Sequence, residues 1–245
     1  YQLGVRYFDT APGYGIAEQL ITDWLAINKN LKDINLVIHC AGPFSSTAEP
    51  MMQACIQSQC HYLDITGEIS VFERGFQLDE AANDAGIVLC PGAGFDVIPT
   101  DCLASSLKQK MPDATFLTLG FDSASGFSPG TAKTSVEGLG KGGTIRENGK
   151  LKTVPLAYTL RPIDFGNGIK NAMTIPWGDI STAYRSTGIA NIEVYLPASP
   201  RACKRLQRLN SIRKLLGWKP VNNWLKKRAA ASSKGPNEEQ RKNLN

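Results

Sequence analysis

The chain has 245 residues, of which 42% are hydrophobic and 20% charged, and its formal net charge at pH 7 is +5. No apolar run approaches the length of a membrane-spanning helix and no charged-then-apolar leader opens the sequence, so we expect neither a transmembrane helix nor a secretory signal. Eleven of the 27 basic residues lie between positions 201 and 234, where no acidic residue occurs, and the body of the chain shows no basic stripe or recognition motif, so we expect no nucleic-acid binding there.

The first predicted strand runs from Val5 to Asp9. The segment from Gly4 to Gly15 is also similar to the early strand and turn of aldo-keto reductases, in which an Asp and a Tyr at the places of Asp9 and Tyr14 serve catalysis. That family forms an eight-stranded barrel, whereas the segments that follow here predict an open sheet. We therefore assign the strand to that sheet and leave the origin of residues 1–15 open.

From Leu36 to Asp101 the sequence repeats an apolar run, a small-residue turn and an amphipathic stretch of helical length. Parallel strands need a crossover of a dozen or more residues, and the intervening helices provide it. The pattern predicts an α/β fold with a Rossmann-like parallel sheet. The predicted strands are Leu36–Cys40, Tyr62–Ile65 and Ile87–Cys90, and the predicted helices are 48–58 capped by Thr47, a second opened by Ser70 and ended by Gly86, and 101–110 capped by Thr100.

Each predicted strand ends in a turn, and ligands of doubly wound sheets bind beyond the carboxyl ends of the strands. Glycine lets the backbone approach a ligand, and Pro43 fixes a turn whose neighbouring N–H groups we expect to point outward, free to bind. The alternative is that these are only tight turns between strand and helix. The candidate ligand contacts are Ala41, Gly42, Pro43 and Phe44 in the first turn, Thr66, Gly67 and Glu68 in the second, and Gly94, Phe95 and Asp96 in the third.

From Thr115 the pattern changes to short strands with Gly, Pro and Asn turns, which predicts a second, α+β domain. The predicted domains are 1–114, 115–200 and 201–245, and hairpin turns are expected at Asn148-Gly149 and Phe165–Gly168. A polar loop is predicted from Trp177 to Tyr184, with ordinary loop packing as the alternative to a functional role. Its candidate substrate contacts are Trp177, Asp179, Ser181 and Thr182, and Tyr184 is the candidate proton donor.

Residues 201–216 predict a basic amphipathic helix, and Trp218 and Trp224 follow it. Two interpretations stay open: the apolar face docks on the protein, or the segment 201–228 lies on an anionic membrane surface. After Ala229 the sequence is polar and predicted to be disordered. The apolar face of the helix is predicted to consist of Ala202, Leu206, Leu209, Ile212 and Leu216.

Four ordered motifs, His39–Phe44, His61–Glu68, Gly92–Asp101 and Trp177–Tyr184, resemble the saccharopine dehydrogenase-like oxidoreductases, and within them the trans-acting enoyl reductases. The resemblance implies an oxidoreductase that uses NADP or NAD, with a Rossmann-like domain and a second domain on a mixed or antiparallel sheet. By position, it implies that residues 41–44 and 66–68 pass close to the cofactor and that residues 94–96 line its nicotinamide side.

The chain departs from that family in two places: no Gly-x-Gly-x-x-Gly phosphate turn precedes Leu36, and the further strands that follow the place of residues 235–239 in the family are missing. The glycines at 138, 140 and 143 follow a helix and precede a hairpin, so we interpret them as a helix stop and loop. We therefore expect a chain that is truncated at both ends, that lacks the first strand–helix unit of its sheet and that binds dinucleotide weakly. The alternative function is a catalytically inactive remnant that acts as a binding or membrane-associated protein.

The six cysteines form no Cys-x-x-Cys pair, which predicts free thiols in a reducing compartment rather than disulfides or zinc, and no metal site is expected. The expected location is the cytoplasm, with peripheral membrane contact as a further possibility for the basic segment. The expected partner is a small-molecule or lipid-like substrate, and a homodimer is among the assemblies that the sequence leaves open.

Overall fold

The structure is a computed structural model that describes residues 34–122 and 135–232. The chain divides into two compact units, residues 1–103 and 104–245. The predicted strand from Val5 to Asp9, the aldo-keto reductase-like segment and the C-terminal residues after Ser232 lie outside the described residues. The domain boundaries at 114 and 200 stay predictions.

The first unit is built on a parallel sheet. Its elements are β1 (Leu36–His39), α1 (Phe44–Ser58), β2 (His61–Asp64), α2 (Ile69–Gln77), α3 (Asp79–Asp84), β3 (Leu89–Cys90) and α4 (Ile98–Lys110), the last of which crosses the boundary between the units. The strand order is β1-β2-β3, and both pairs are parallel. The predicted Rossmann-like parallel sheet is therefore confirmed, with a third strand that begins at Leu89 rather than Ile87.

Helix α1 supplies much of the core of this unit. Ala48, Met52 and Cys55 recur at helical spacing and are all buried. They pack with Tyr62 of β2 and with apolar side chains from the following helices and strand, so the sheet is covered on the face that α1 crosses. The other buried members of the cluster are Val71, Ala82 and Ile87.

The predicted helix caps are wrong, because all three helices begin earlier than the hydroxyl residues suggest. Helix α1 begins at Phe44 after Pro43, so Thr47 lies inside it and donates its hydroxyl to the carbonyl of Ala41 at 2.7 Å. Helix α2 begins at Ile69 after Glu68, which makes Ser70 its second residue. Thr100 is the third residue of α4 and its hydroxyl donates to the Val97 carbonyl.

The second unit is built on a mixed sheet. Its strands are β4 (Phe116–Gly120), β5 (Gly143–Glu147), β6 (Lys150–Val154), β7 (Leu160–Asp164), β8 (Ile169–Ile175) and β9 (Asn191–Pro197), and helix α5 (Asp179–Thr187) lies between the last two. The order is β6-β5-β9-β8-β7, and β4 runs parallel to β9 while the other pairs are antiparallel. The mixed sheet implied by the family resemblance is therefore present.

Both predicted hairpins form. Asn148 and Gly149 join β5 to β6 with φ values of 50° and 76°, the backbone that a two-residue type I′ turn requires. Residues 165–168 join β7 to β8, and the N–H of Phe165 donates to the carbonyl of Gly168. These turns could be recognised in the sequence because Asn-Gly and Gly-rich tetrapeptides adopt positive φ at little cost.

The C-terminal segment is helical but is not a single helix to Leu216. Helix α6 (Pro200–Leu209) is followed by a 3₁₀ turn (Asn210–Ile212), a short helix α7 (Arg213–Leu216) and helix α8 (Lys219–Ser232). The break falls at Asn210, whose side chain accepts from the Leu156 N–H at 2.8 Å and donates to the Leu156 carbonyl at 3.2 Å. The disorder predicted from Ala229 is wrong as far as Ser232. No helix among the described residues is long and apolar enough to cross a membrane.

Candidate functional site at the carboxyl ends of the parallel strands

The Asp64 carboxylate connects the turns that follow β2 and β3. Its side chain is fully buried, and one oxygen, Oδ1, accepts from the backbone N–H of Thr66 at 2.9 Å and of Gly92 at 2.7 Å. The other oxygen, Oδ2, accepts from the Tyr62 hydroxyl at 2.7 Å. Three donors thus converge on one buried carboxylate, which fixes the exits of two neighbouring strands relative to each other.

Tyr62 carries this network to the end of β1. Its hydroxyl lies 3.0 Å from Nδ1 of the buried His39. Because the hydroxyl proton points to Asp64, the second hydrogen bond requires that His39 Nδ1–H donates to the Tyr62 oxygen, which assigns the tautomer of the ring. Burial lowers the pKa of His39 and raises that of Tyr62, so both are neutral near pH 7. The network is a structural frame that links the ends of β1 and β2.

Glu68 occupies the N-terminus of α1. Its two carboxylate oxygens accept from the backbone N–H groups of Phe44 and Ser45, each at 3.0 Å. The expectation that N–H groups beside Pro43 are free to bind a ligand is therefore wrong for these two. A carboxylate at a helix N-terminus is favoured by the same unpaired donors and dipole that would attract a phosphate. This helix start holds an anion that belongs to the protein itself.

The glycines of the third turn are required by packing within the unit. A Cβ on Gly92, whose φ is +75°, would lie 2.4 Å from two ring atoms of Phe72. A Cβ on Gly94 would lie 3.0 Å from the Cβ of Ile65. Beyond these close contacts the turn opens to solvent at Phe95, whose side chain is 88% exposed, and Asp96 also lies at the surface.

The residues predicted to contact a ligand at this edge are therefore brought into one region of the first unit. The turn from Ala41 to Phe44 and the turn from Thr66 to Glu68 are joined by the Glu68 hydrogen bonds. The turn that leads to residues 94–96 is joined to them by Asp64, and the N–H of Ala93 also donates to the Asp64 carbonyl at 2.7 Å. The geometry brings the three turns together, while their roles toward a ligand stay predictions.

The second predicted group lies in the other unit and is helical rather than a loop. Asp179, Ser181, Thr182 and Tyr184 belong to α5, and Trp177 precedes it with its ring 4.9 Å from that of Phe121. Their side chains therefore do not share one face: Asp179 and Ser181 are fully buried, whereas Thr182 and Tyr184 are half-buried. The helical pattern of this segment is hard to recognise in the sequence, because Gly178 and three β-branched or hydroxyl residues have low helix propensity.

Arg146 is the buried charge that organises this helix, and the sequence analysis did not identify it. Its Nε donates to the Ile180 carbonyl at 2.7 Å and its Nη1 to the Gly149 carbonyl at 2.8 Å. The guanidinium lies 4.3 Å from the centre of the Tyr184 ring, a cation–π contact. The Tyr184 ring of α5 is thus held against the β5–β6 turn. An arginine at an inward position of a strand was the available signal.

The described cysteines are free thiols, of which Cys40, Cys90 and Cys102 are exposed. Cys55 and Cys60 are buried near the end of α1, and burial raises the pKa of both thiols, that of Cys55 to about 12. A thiol with a raised pKa is a poor nucleophile at neutral pH. Within residues 34–122 and 135–232, no group of three or more His, Cys, Asp or Glu side chains could hold a metal ion.

A parallel α/β unit with three joined turns at its strand ends has the architecture of a Rossmann-like ligand-binding domain. No family model matches the chain. It is 30% identical over 142 residues to human saccharopine dehydrogenase-like oxidoreductase, covering 54% of this chain and 33% of that protein. It is 26% identical over 124 residues to a Caenorhabditis elegans lipid droplet localized protein, covering 48% of this chain and 29% of that protein.

Among solved structures, apo saccharopine dehydrogenase (L-Glu forming) from Saccharomyces cerevisiae is similar with a TM-score of 0.49 and 13% identity, covering 91% of this chain and 58% of that chain. The resemblance to saccharopine dehydrogenase-like oxidoreductases that the four motifs indicate is confirmed by curated relatives of that name. The chain spans about a third of the length of the human relative.

Proposed function

We propose that the chain forms part of a nicotinamide-dependent oxidoreductase and that its strand-end turns contact the cofactor. The single observation that carries the proposal is the Asp64 network, which holds the exits of β2 and β3 together in a parallel α/β unit. Such an edge is where open α/β sheets bind their ligands. When bound, NADP or NAD would supply hydride chemistry on a C=C, C=O or C=N bond.

The donors and acceptors of this edge fit the uncharged part of a dinucleotide better than its diphosphate. The N–H groups of Phe44 and Ser45 are taken by Glu68, so a phosphate would have to displace a carboxylate. Ribose hydroxyls and the nicotinamide amide, by contrast, can donate to carboxylates such as Glu68 and Asp96. The exposed ring of Phe95 offers an apolar surface beside them. The residues therefore fit the nicotinamide end.

The proposal also includes NADP rather than NAD as the cofactor, and the trans-acting enoyl reductases rather than other members of the class as the nearest group. Both choices follow from the motif resemblance. A lipid-like substrate is also part of the proposal, and one relative, from Caenorhabditis elegans, is named for its localisation to lipid droplets. The cytoplasm, including the surface of its membranes, is the proposed location.

Tyr184 is the proposed proton donor, with Trp177, Asp179, Ser181 and Thr182 as proposed substrate contacts. The support is that its phenol is half-buried and that Arg146 fixes its ring. In an active full-length protein, replacement of Tyr184 by Phe should lower kcat by about 10²-fold or more, the usual contribution of a positioned acid. An unchanged kcat would assign the residue to packing alone.

Fluorescence titration with NADPH tests the proposal on the chain itself. We expect weak binding, with a Kd of roughly 0.1–1 mM, which corresponds to about 4–5.5 kcal/mol. Phe95→Ala should weaken binding about fivefold, because a ring contact of about 1 kcal/mol is lost. The matched control is Phe116→Ala, a similarly exposed phenylalanine of the second unit at 76% exposure.

Two outcomes contradict the proposal. Equal effects of the two phenylalanine substitutions would place the cofactor away from the third turn. Absence of binding at millimolar NADPH would instead favour the second candidate function, a catalytically inactive binding protein, which the occupied N-terminus of α1 supports.

A further inference from the structure

The last helices of the second unit leave an apolar surface uncovered. The exposed fractions are 46% for Ile212, 53% for Leu215, 60% for Trp218 and 57% for Trp224. These four residues lie in the 3₁₀ turn (Ile212), in α7 (Leu215), in the turn that follows it (Trp218) and in α8 (Trp224), and are called the C-terminal apolar surface. Two exposed tryptophans within seven positions are unusual on a soluble surface and indicate an interaction site.

The helices that carry this surface are anchored elsewhere. Cys203 of α6 and Leu216 of α7 are buried, and the Asn210 side chain bonds to both backbone groups of Leu156. Asn222 of α8 donates to the carbonyls of Val136 at 3.1 Å and Leu216 at 3.2 Å. The docking interpretation thus applies to α6 and to Leu216, whereas Ile212, Leu215, Trp218 and Trp224 are exposed on the same anchored segment.

The charged residues within positions 201–234 are all of one sign. No acidic residue occurs between positions 201 and 234. The guanidinium of Arg228 lies 5.4 Å from the ring centre of Trp224, so a cation and an indole are presented side by side. Lys226 is paired with Glu137 at 2.7 Å and contributes no free charge. The basic residues that flank these side chains in the sequence are Lys214, Lys219, Lys227 and Arg228, together with Arg213, which is half-buried beside Gly142.

We propose that the C-terminal apolar surface binds an anionic phospholipid surface. Indoles prefer the headgroup level of a bilayer because one edge is apolar and the other donates a hydrogen bond, and the flanking cations attract anionic lipid. Leucine and isoleucine side chains enter the acyl boundary. A protein partner would have to match both the exposed apolar side chains and the neighbouring cations, whereas an anionic bilayer provides both properties at every point.

Flotation of the chain with vesicles tests the proposal. The vesicles are phosphatidylcholine alone or phosphatidylcholine with about one third phosphatidylserine, and flotation is repeated at about 1 M salt, where the Debye length falls to about 3 Å. We expect at least about tenfold more bound chain on the anionic vesicles, with most of that difference lost at high salt.

Substitutions distinguish binding through the C-terminal apolar surface from nonspecific adsorption to vesicles. The double variant Trp218→Ala/Trp224→Ala should lower partitioning about tenfold or more, since the indoles are the main interfacial anchors. The control Phe116→Ala/Ile169→Ala removes two apolar side chains of the same unit that are even more exposed, 76% and 74%, and should leave partitioning unchanged. Circular dichroism melts of the original chain and of these two variants show whether each variant folds. The variant Lys214→Gln/Lys219→Gln/Lys227→Gln repeats the flotation test with only the charge changed.

Three results would overturn the proposal. The first is equal binding to neutral and anionic vesicles, and the second is an equal loss in the control variant. The third is light scattering that shows a dimer which dissociates in the tryptophan variant, because the surface would then be an interface between two copies of the chain.

Discussion

Asp64 concentrates the polar interactions of the first unit on one side chain. Its carboxylate accepts from two backbone N–H groups and one hydroxyl, all within 2.9 Å, at a position with no solvent exposure. A buried acceptor of this kind is expensive to remove because its donors stay buried without a partner. The free energy of unfolding should therefore depend more on this residue than on any single apolar contact at the sheet edge.

Replacement of Asp64 by Ala should lower the free energy of unfolding by about 3 kcal/mol or more, since three buried donors lose their acceptor. Asp64→Asn should lower it less, by about 1–2 kcal/mol, because the amide oxygen still accepts from the two N–H groups and its NH₂ can donate to Tyr62. Urea unfolding measures both. The exposed Asp113→Ala is the control, and equal losses in all three variants would contradict the role of the network.

The asparagine variant carries a second, independent signal. If its NH₂ donates to the Tyr62 oxygen, the Tyr62 hydroxyl must turn to donate to His39 Nδ1, which reverses the tautomer of His39. The ¹⁵N shifts of the imidazole report this change directly. An unchanged tautomer in a folded Asp64→Asn chain would show that the hydrogen bonds do not run in the assigned direction.

Gly92 and Gly86 offer a matched pair of substitutions. Both have positive φ, +75° and +70°, but a Cβ on Gly92 would clash with Phe72 whereas one on Gly86 has nothing within 4 Å. Gly86→Ala should cost about 1 kcal/mol for the left-handed backbone alone, and Gly92→Ala about 3 kcal/mol because the core must also move. Thermal and urea unfolding measure the difference, and equal costs would contradict the close approach at Gly92.

At the scale of the elements, the N-terminus of α1 shows how a distant residue decides a local structure. Glu68 is 24 positions from Phe44, yet its carboxylate satisfies the first two N–H groups of that helix. A serine or threonine beside the helix start is the usual cap, and here Thr47 is displaced into the helix because Glu68 takes its role.

Glu68→Gln should lower the free energy of unfolding by about 1 kcal/mol, because an amide has only one acceptor oxygen and no charge for the helix dipole. The control is Glu80→Gln, an exposed acid in the first turn of α3. Urea unfolding of the two variants separates the pair of hydrogen bonds from the general effect of an acid near a helix start. A loss no larger than that of the control would contradict the assignment.

The elements that could be predicted from the sequence are those that depend on local properties. The parallel strands and the Asn148-Gly149 turn were recognisable because hydrophobic spacing and turn chemistry are local properties. Other features depend on partners far away in the sequence, so no local pattern predicts them. They are the helix caps, the break at Asn210 and the contacts of Arg146 with α5. The three strand-end turns were predicted as a group, but the sequence did not predict that Asp64 and Glu68 join them.

At the scale of the whole molecule, the chain combines two units with different surfaces. The first presents joined turns at the ends of parallel strands, and the second presents exposed tryptophans among cations. The chain spans only about a third of the length of its human relative. The ligand preference of the strand ends is nevertheless a property that this chain can show alone.

The most direct test of the central claim is a map of amide shifts in the ¹⁵N–¹H spectrum of the chain, recorded with reduced nicotinamide mononucleotide and separately with inorganic phosphate. We expect the mononucleotide to shift the amides of Phe44, Thr66 and residues 94–96, and phosphate to leave Phe44 and Ser45 unmoved because Glu68 holds them. Shifts by phosphate at Phe44 and Ser45, or no mononucleotide shifts at the three turns, would contradict it.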